Sequence, residues 1–360
     1  MILSAPSYGN SPLGFKVLLD GLKIPYVLPS KSNRSSLELG AKYAPEGICQ
    51  PFKMMLGNAI KSIEEGADTI VLIATNGPCK FGEYAGLQER LLKKAGYDAS
   101  FIVLCTENGR KAFMKEIHKV SSLSSCSKYQ KIIALKRALR ALSLMDAVES
   151  QLRYLSGFEL QKGSCKDLLL KCSRDVYLSR EPKQILQILK HYQKKAKTIC
   201  VDPAKKPLRI ALVGEIYTIS EPFSNQFIED HLMAFGASVS RSLTPSWWFK
   251  DRLLRPLKIN SLKIRKAAKE YIYESAGGYT KETVGHTLLA HKQGFDGAIQ
   301  IFPVGCTPEI IAKPILEKIA SDKGFPILTL IVDEMTGEEG FLTRLEAFMD
   351  LLERRRRTCI

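Results

Sequence analysis

At 360 residues the chain is longer than one hydrophobic core ordinarily supports, so two domains, or two with a helical insert, are expected. A composition 45% hydrophobic and 25% charged excludes disorder, and no apolar run approaches the roughly 20 residues of a membrane-spanning helix. The formal charge of +16 suits an anionic partner, whether nucleic acid, a phosphorylated cofactor or an acidic protein, without choosing among them.

The opening Met1-Ile2-Leu3-Ser4-Ala5-Pro6 lacks the charged start and long apolar stretch of an export signal, so a cytoplasmic location with no membrane partner is expected. Nine cysteines in such a chain are expected to be thiols or metal ligands rather than a disulfide framework.

The first expected domain, 1–105, opens with a strand at 1–5, then a loop and helix, then a second strand at 24–28 after Gly21. Cys49 precedes Pro51, which suits the first turn of a helix whose apolar face runs through Phe52, Leu56, Ala59, Ile60 and Ile63 and which Gly66 ends. An apolar strand at 69–73 leads to Asn76-Gly77-Pro78-Cys79, and the Gly96-Tyr97 turn precedes a strand at 99–104.

From 106 to 207 glycines almost vanish, and apolar residues recur at helical spacing, as in Ile132, Leu135, Leu139, Leu142 and Met145, then Ile185, Leu186 and Leu189. This is an all-helical insert rich in Lys and Arg. Its Lys190, Lys194, Lys195 and Lys197 read better as a solvated helical face than as a nucleic-acid surface.

The last domain, 208–360, repeats the first. Strands at 208–213 and 238–241 are followed by 297–302, which leads to Val304-Gly305-Cys306, and by 327–332 after Gly324-Phe325. The expected fold class is therefore α/β: two flavodoxin- or Rossmann-like parallel-sheet domains related by internal duplication, with the basic helical insert between them. Thr307 reads as a helix N-cap, Pro308 as the first helical residue and Glu309 as a first-turn acid. Gly277-Gly278 falls where Cys49 lies in the first half. It could let backbone approach a cluster or a thioester substrate, or be a plain turn.

Cys79 and Cys306 thus follow strands, and Cys49 and Cys306 stand near helix starts, where partial positive charge favours the thiolate that binds iron or zinc. Cys105, Cys126, Cys165, Cys172 and Cys200 are expected to be buried small hydrophobes, and Cys359 lies in a basic tail whose arginines, 354–357, are expected to fray. No C-x-x-C pair and no phosphate-binding G-x-x-x-x-G-K-[ST] loop occurs, so ATP would act through a partner. Glu83, Glu215, Tyr217 and Glu309 are candidates to donate protons to a substrate or to brace the loops. The histidines show no paired metal spacing, and Asp333, Glu334, Glu338 and Glu339 could ligate a divalent cation but read better as caps and dipole partners before a helix at 340–353.

Three groups of residues carry a family resemblance. The first is Cys49-Gln50-Pro51-Phe52-Lys53 with 76–84, the second Val213-Gly214-Glu215-Ile216-Tyr217 with 221–225, and the third 302–309 with 333–340 and 343–348. Together they resemble the 2-hydroxyacyl-CoA dehydratase subunits, most closely the proteins grouped with the CoA-dehydratase activases. The resemblance implies a [4Fe–4S] cluster held by Cys49, Cys79 and Cys306 between two α/β domains, supplied with single low-potential electrons by a separate ATP-dependent activator of the ASKHA type. A branch with a double-cubane cluster needs about twice as many cysteine ligands, and no second matching triad is present.

The expected function is a cluster-binding redox protein of this group. One alternative is a catalytic dehydratase subunit, working with a homologous chain or as a homodimer, that makes a ketyl radical from an acyl-CoA thioester. The other is a non-enzymatic scaffold or nucleic-acid-binding protein using the basic helices.

Overall fold

The computed structural model describes residues 1–74, 79–105, 108–254, 261–274 and 276–358. Asn76, Gly77, Pro78 and Cys359 lie outside these. The chain divides into two compact units, one of Met1–Ala147, Lys171–Gln193 and Pro245–Leu253, the other of Val148–Leu170, Lys194–Thr244 and Leu254–Ile360.

The sheet of the first unit is parallel and ordered β1-β2-β3, from Leu3–Ser4, Thr69–Ala74 and Ser100–Cys105. The strand expected at 24–28 shrinks to one parallel bridge between Leu3 and Tyr26. Pro25 has no N–H to give a ladder, so the pairing is limited to Leu3 N–H on the Pro25 carbonyl and Val27 N–H on the Leu3 carbonyl.

The second sheet is ordered β5-β4-β6-β7, from Ser238–Arg241, Arg209–Gly214, Gly297–Pro303 and Ile327–Val332, again all parallel. With Tyr26 in the place of β5, the two sheets share one strand order, the start of the flavodoxin-like 2-1-3-4 pattern. Central β6 is buried along its whole length, as a strand covered on both faces must be.

In chain order, β3 and β4 are separated by helices Arg110–Ser122, Lys128–Leu155, Ser164–Leu178 and Pro182–Ala196. Among the described residues no helix is long and apolar enough to cross a membrane. In the first unit Leu3, Ile102 and Leu104 pack against Leu19 and Leu22 of helix Ser11–Leu22 and Ala134 of Lys128–Leu155. In the second, Val213 joins Val284, Leu288, Ala312, Leu316 and Ile319 from helices Thr280–Lys292 and Thr307–Lys323.

Two features of the packing have no signature in the periodicity. Helices Arg34–Tyr43 and Gln50–Glu64 cross backbone to backbone: a Cβ on Gly40 would stand 1.7 Å from the Lys53 carbonyl oxygen, and one on Gly57 1.8 Å from that of Ser36. Asn33 and Ser36 close a reciprocal capping box at the start of the first of these helices.

The second unit also buries a closed ring of charge. Arg153 pairs with Glu149 at 2.9 Å and with Glu229 at 3.1 Å, and Arg241 pairs with the same two acids at 2.8 and 3.2 Å. The terminal arginines do not fray as expected. Helix Glu338–Thr358 carries them, Arg355 reaches the Gly324 carbonyl, and Arg356 pairs with Asp296 at 2.7 Å and also meets the Lys206 carbonyl.

Candidate functional site

All three singled-out cysteines are helix N-cap residues. Cys49 caps Gln50–Glu64 with extended backbone and Pro51 in the first turn, and Cys79 caps the 3₁₀ helix Lys80–Glu83, which runs into helix Tyr84–Lys94. Cys306 caps Thr307–Lys323, one residue earlier than the Thr307 cap expected from the sequence, so that the thiol itself stands at the cap position. Four backbone N–H groups at such a start lack intrahelical acceptors and favour negative charge nearby.

In the first unit the elements of Cys49 and Cys79 are tied together twice. The hydroxyl of Tyr84, which follows the Cys79 turn, lies 2.6 Å from Cys49 Sγ, and Lys80 Nζ donates to the Gly47 carbonyl at 3.0 Å. Tyr84 is only 4% exposed, its ring held edge-on by Phe52 at 5.0 Å and Phe81 at 5.1 Å. Sequence reasoning gave Tyr84 no role. Its only signal was a place five residues after Cys79 in a segment otherwise read for its cysteine.

In the second unit Cys306 is buried, and Gly277-Gly278 packs against the start of its helix. A Cβ on Gly278, whose φ is +53°, would meet Pro308 Cγ at 2.5 Å, so glycine is required both by backbone conformation and by space. Thr280 Oγ1 lies 2.9 Å from the Pro308 carbonyl and 3.0 Å from that of Gly277, fastening the two segments. The glycine pair therefore stands at the start of the Cys306 helix.

Of the proton-transfer candidates, the structure brings Glu215 and Glu309 near each other in the second unit. Glu215 caps helix Ile216–Ser220, accepting the N–H groups of Tyr217 at 2.9 Å and Thr218 at 2.8 Å and the Thr218 hydroxyl at 2.8 Å. Burial raises its pKa despite these bonds. Glu309 is 1% exposed and accepts from Thr283 Oγ1 at 2.8 Å and Gln300 Nε2 at 3.0 Å. Burial first, then the negative charges of Glu215 and Glu282, outweigh those two bonds and push its carboxyl up to about 7. Tyr217 is buried beside them, whereas Glu83 is exposed and belongs to the first unit. Glu215 thus caps the short helix after β4, and Glu309 ties the Cys306 helix to β6 and to helix Thr280–Lys292.

Cys105, Cys165 and Cys172 are buried as expected, and Cys126 faces the carbonyls of Gly21 and Leu22. Cys200 is exposed, contrary to expectation. It lies four residues past the end of helix Pro182–Ala196, next to Val201, which is itself exposed and joined to Glu159 by an isolated bridge. Asp333 Oδ1 accepts from Met335 N–H and the Thr336 hydroxyl, closing a turn ahead of the last helix, and Glu338 and Glu339 lie in that helix's first turn, where its positive end favours them. Among the described residues no three His, Cys, Asp or Glu side chains are gathered as a metal site; Cys49 and Cys79 belong to the first unit and Cys306 to the second.

The family model described as 2-hydroxyglutaryl-CoA dehydratase, D-component, matches residues 16–352, nearly the whole chain. The chain belongs to this family. No curated protein matches it. As a dehydratase-family component it falls in a group generally associated with iron–sulfur clusters. Its three N-cap thiols suit such a cluster chemically, because thiolate is the ligand form and helix starts favour it.

Proposed function

We propose that this dehydratase-family component holds a [4Fe–4S] cluster through Cys49, Cys79 and Cys306, and accepts low-potential electrons from an ATP-dependent activator of the ASKHA type. The observation that carries the reading is the common N-cap position of the three cysteines, two of them after equivalent strands, β2 and β6. When bound, the cluster would supply single electrons at low potential, with a fourth iron position open to a further ligand. The chain's own residues do the positioning. Tyr84 hydrogen-bonds the Cys49 sulfur, Gly278 clears space at the start of the Cys306 helix, Glu215 caps the short helix after β4, and Glu309 ties the Cys306 helix to β6.

A finer reading, that the chain is itself a catalytic 2-hydroxyacyl-CoA dehydratase subunit acting on an acyl-CoA with a homologous chain or a second copy, draws support from Glu309, a carboxyl pushed up to about 7 in the first turn of the Cys306 helix. Turnover of a thioester panel under anaerobic conditions, with activator and ATP, separates it from electron relay alone.

The cluster itself is tested by iron and sulfide analysis with electron paramagnetic resonance on anaerobically purified protein. The wild type is expected to carry about four irons per chain, as the cluster formula requires, and Cys79→Ala to lose the signal. A zinc-loaded or metal-free wild type would overturn the proposal.

A further inference from the structure

The sheet face carrying Leu3, Val71, Ile73 and Leu104 is not filled by the helices that cover it. Between this face and helices Ser11–Leu22, Arg110–Ser122 and Lys128–Leu155 lies an apolar cavity of about 370 Å³, entirely within the first unit. Ligand pockets occupy this size range, and a cavity that large without an occupant forfeits the packing that a core normally secures.

Its shape follows from two helices that run in opposite directions along it. Gly21 backs onto Ala134, and Gly14 onto Leu142. Lining residues extend from Lys131 to Leu142 on one helix and from Ser11 to Leu22 on the other, a length of about 16 Å at 1.5 Å per residue. The volume admits about a dozen methylene-sized groups, taking roughly 30 Å³ for a water-sized unit. The space is that of one extended alkyl chain.

The two ends differ. At the Leu142 end stand the aromatic rings of Tyr8, Phe81, Trp248 and Phe249. At the other is Lys131, the sole charged side chain among the described lining residues, which donates to the Ser121 carbonyl at 2.6 Å and has further N–H donors to offer. Among the described residues no carboxylate lines the cavity. Ile132 and Leu135, 54% and 47% exposed beside Lys131, form an apolar entrance on that side.

We infer that this cavity binds a medium-chain fatty carboxylate, its alkyl chain along the sheet face and its carboxylate at Lys131. The site is separate from the three cysteines and does not depend on a cluster. Its wall reaches Cys49, however, since Phe81 packs on Tyr84, whose hydroxyl meets that thiol.

Trp248 makes the inference measurable. The full chain, purified either with or without iron, is titrated with dodecanoate and with dodecanol below their aggregation concentrations while tryptophan fluorescence is followed. Saturable one-to-one binding of dodecanoate is expected. Lys131→Gln, at a half-buried position outside the core, should weaken dodecanoate by about tenfold, the scale of one hydrogen bond to a charged group, and leave dodecanol within about twofold. Ala138→Phe should fill the cavity and remove both, with a retained circular-dichroism spectrum and urea midpoint serving as the check on folding. Absence of saturable binding to the wild type would overturn the inference, as would equal effects of Lys131→Gln on acid and alcohol, or undiminished binding by folded Ala138→Phe. None of these outcomes bears on iron content, so this inference and the cluster proposal fail separately.

Discussion

The hydroxyl of Tyr84 lies 2.6 Å from the Cys49 sulfur, across 35 residues of sequence, and joins the helix after one candidate ligand to the thiol of another. A hydrogen bond to a ligand sulfur stabilises the more negative, reduced state of an iron–sulfur cluster. Tyr84→Phe keeps the ring between Phe52 and Phe81 but removes that bond. The cluster-loaded variant is expected to show a midpoint potential lower by some tens of millivolts, taking about 1 kcal/mol for the bond and about 59 mV per tenfold for one electron. Redox titration followed by electron paramagnetic resonance checks this, and an unchanged potential would deny Tyr84 its role.

The crossing at Gly40 and Gly57 fixes the helix that Cys49 caps. A methyl group at Gly57 has the Ser36 carbonyl in its path, and backbone cannot yield as a flexible side chain would. Gly57→Ala is expected to lose at least about 2 kcal/mol of stability in urea denaturation and to lower iron content with it. Gly47→Ala, in the loop before Cys49 with nothing within 4 Å of its new Cβ, should change neither.

The ring of Glu149, Arg153, Glu229 and Arg241 is balanced only as a whole. Arg241→Met leaves two buried carboxylates sharing Arg153, one negative charge in excess, and should cost about 3–5 kcal/mol. Adding Glu149→Met restores neutrality around the remaining Arg153 and Glu229 pair, so the double variant should be more stable than Arg241→Met alone. Denaturant midpoints of the two variants decide the matter.

Two buried groups of the second unit set opposing pH dependences. Glu309 titrates at about 7 in the fold against 4.5 ordinarily, so between these values the folded state keeps a proton that the unfolded chain releases, and stability falls as pH rises. His286, lowered by burial to about 4 from 6.5, does the reverse: the unfolded chain binds the proton, and stability rises with pH between these values. From about pH 4.5 to 6.5 the two contributions offset each other, each amounting to at most about 3 kcal/mol at 1.36 kcal/mol per pKa unit. Glu309→Gln is expected to unmask a rise in stability with pH over that window, and His286→Leu a fall. Urea midpoints at pH 5 and pH 6 read the two slopes; parallel slopes in both variants would contradict the assignment.

Strand β7 was legible at its observed bounds, and β2, β3, β4 and β6 within a residue or two, because each is a short, mostly apolar run bounded by glycine or a turn; β5, Ser-Val-Ser-Arg, was legible from its place after Gly236, matching the first half. The same local chemistry located helix Gln50–Glu64 from Pro51 and Gly66, and placed Cys306 at a helix start, though one residue away from its cap position. The Leu3 bridge to Tyr26 fell short of a strand for a reason visible in the chain: Pro25 cannot donate.

What the amino-acid sequence determined by itself, then, was α/β class, the repeated strand order that sets Cys79 and Cys306 at matching strand ends, and a family resemblance carried by short segments. Hydrophobic period and turn residues act over a few neighbours, and these features need no more than that. Only tertiary structure decided that Tyr84 meets Cys49, that Gly278 stands against Pro308, that two arginines and two glutamates close a buried ring, and that the sheet face under Ile132 and Leu135 holds a cavity. Each depends on residues tens of positions apart, whose distance is set by how helices cross and stack, and no local pattern encodes that.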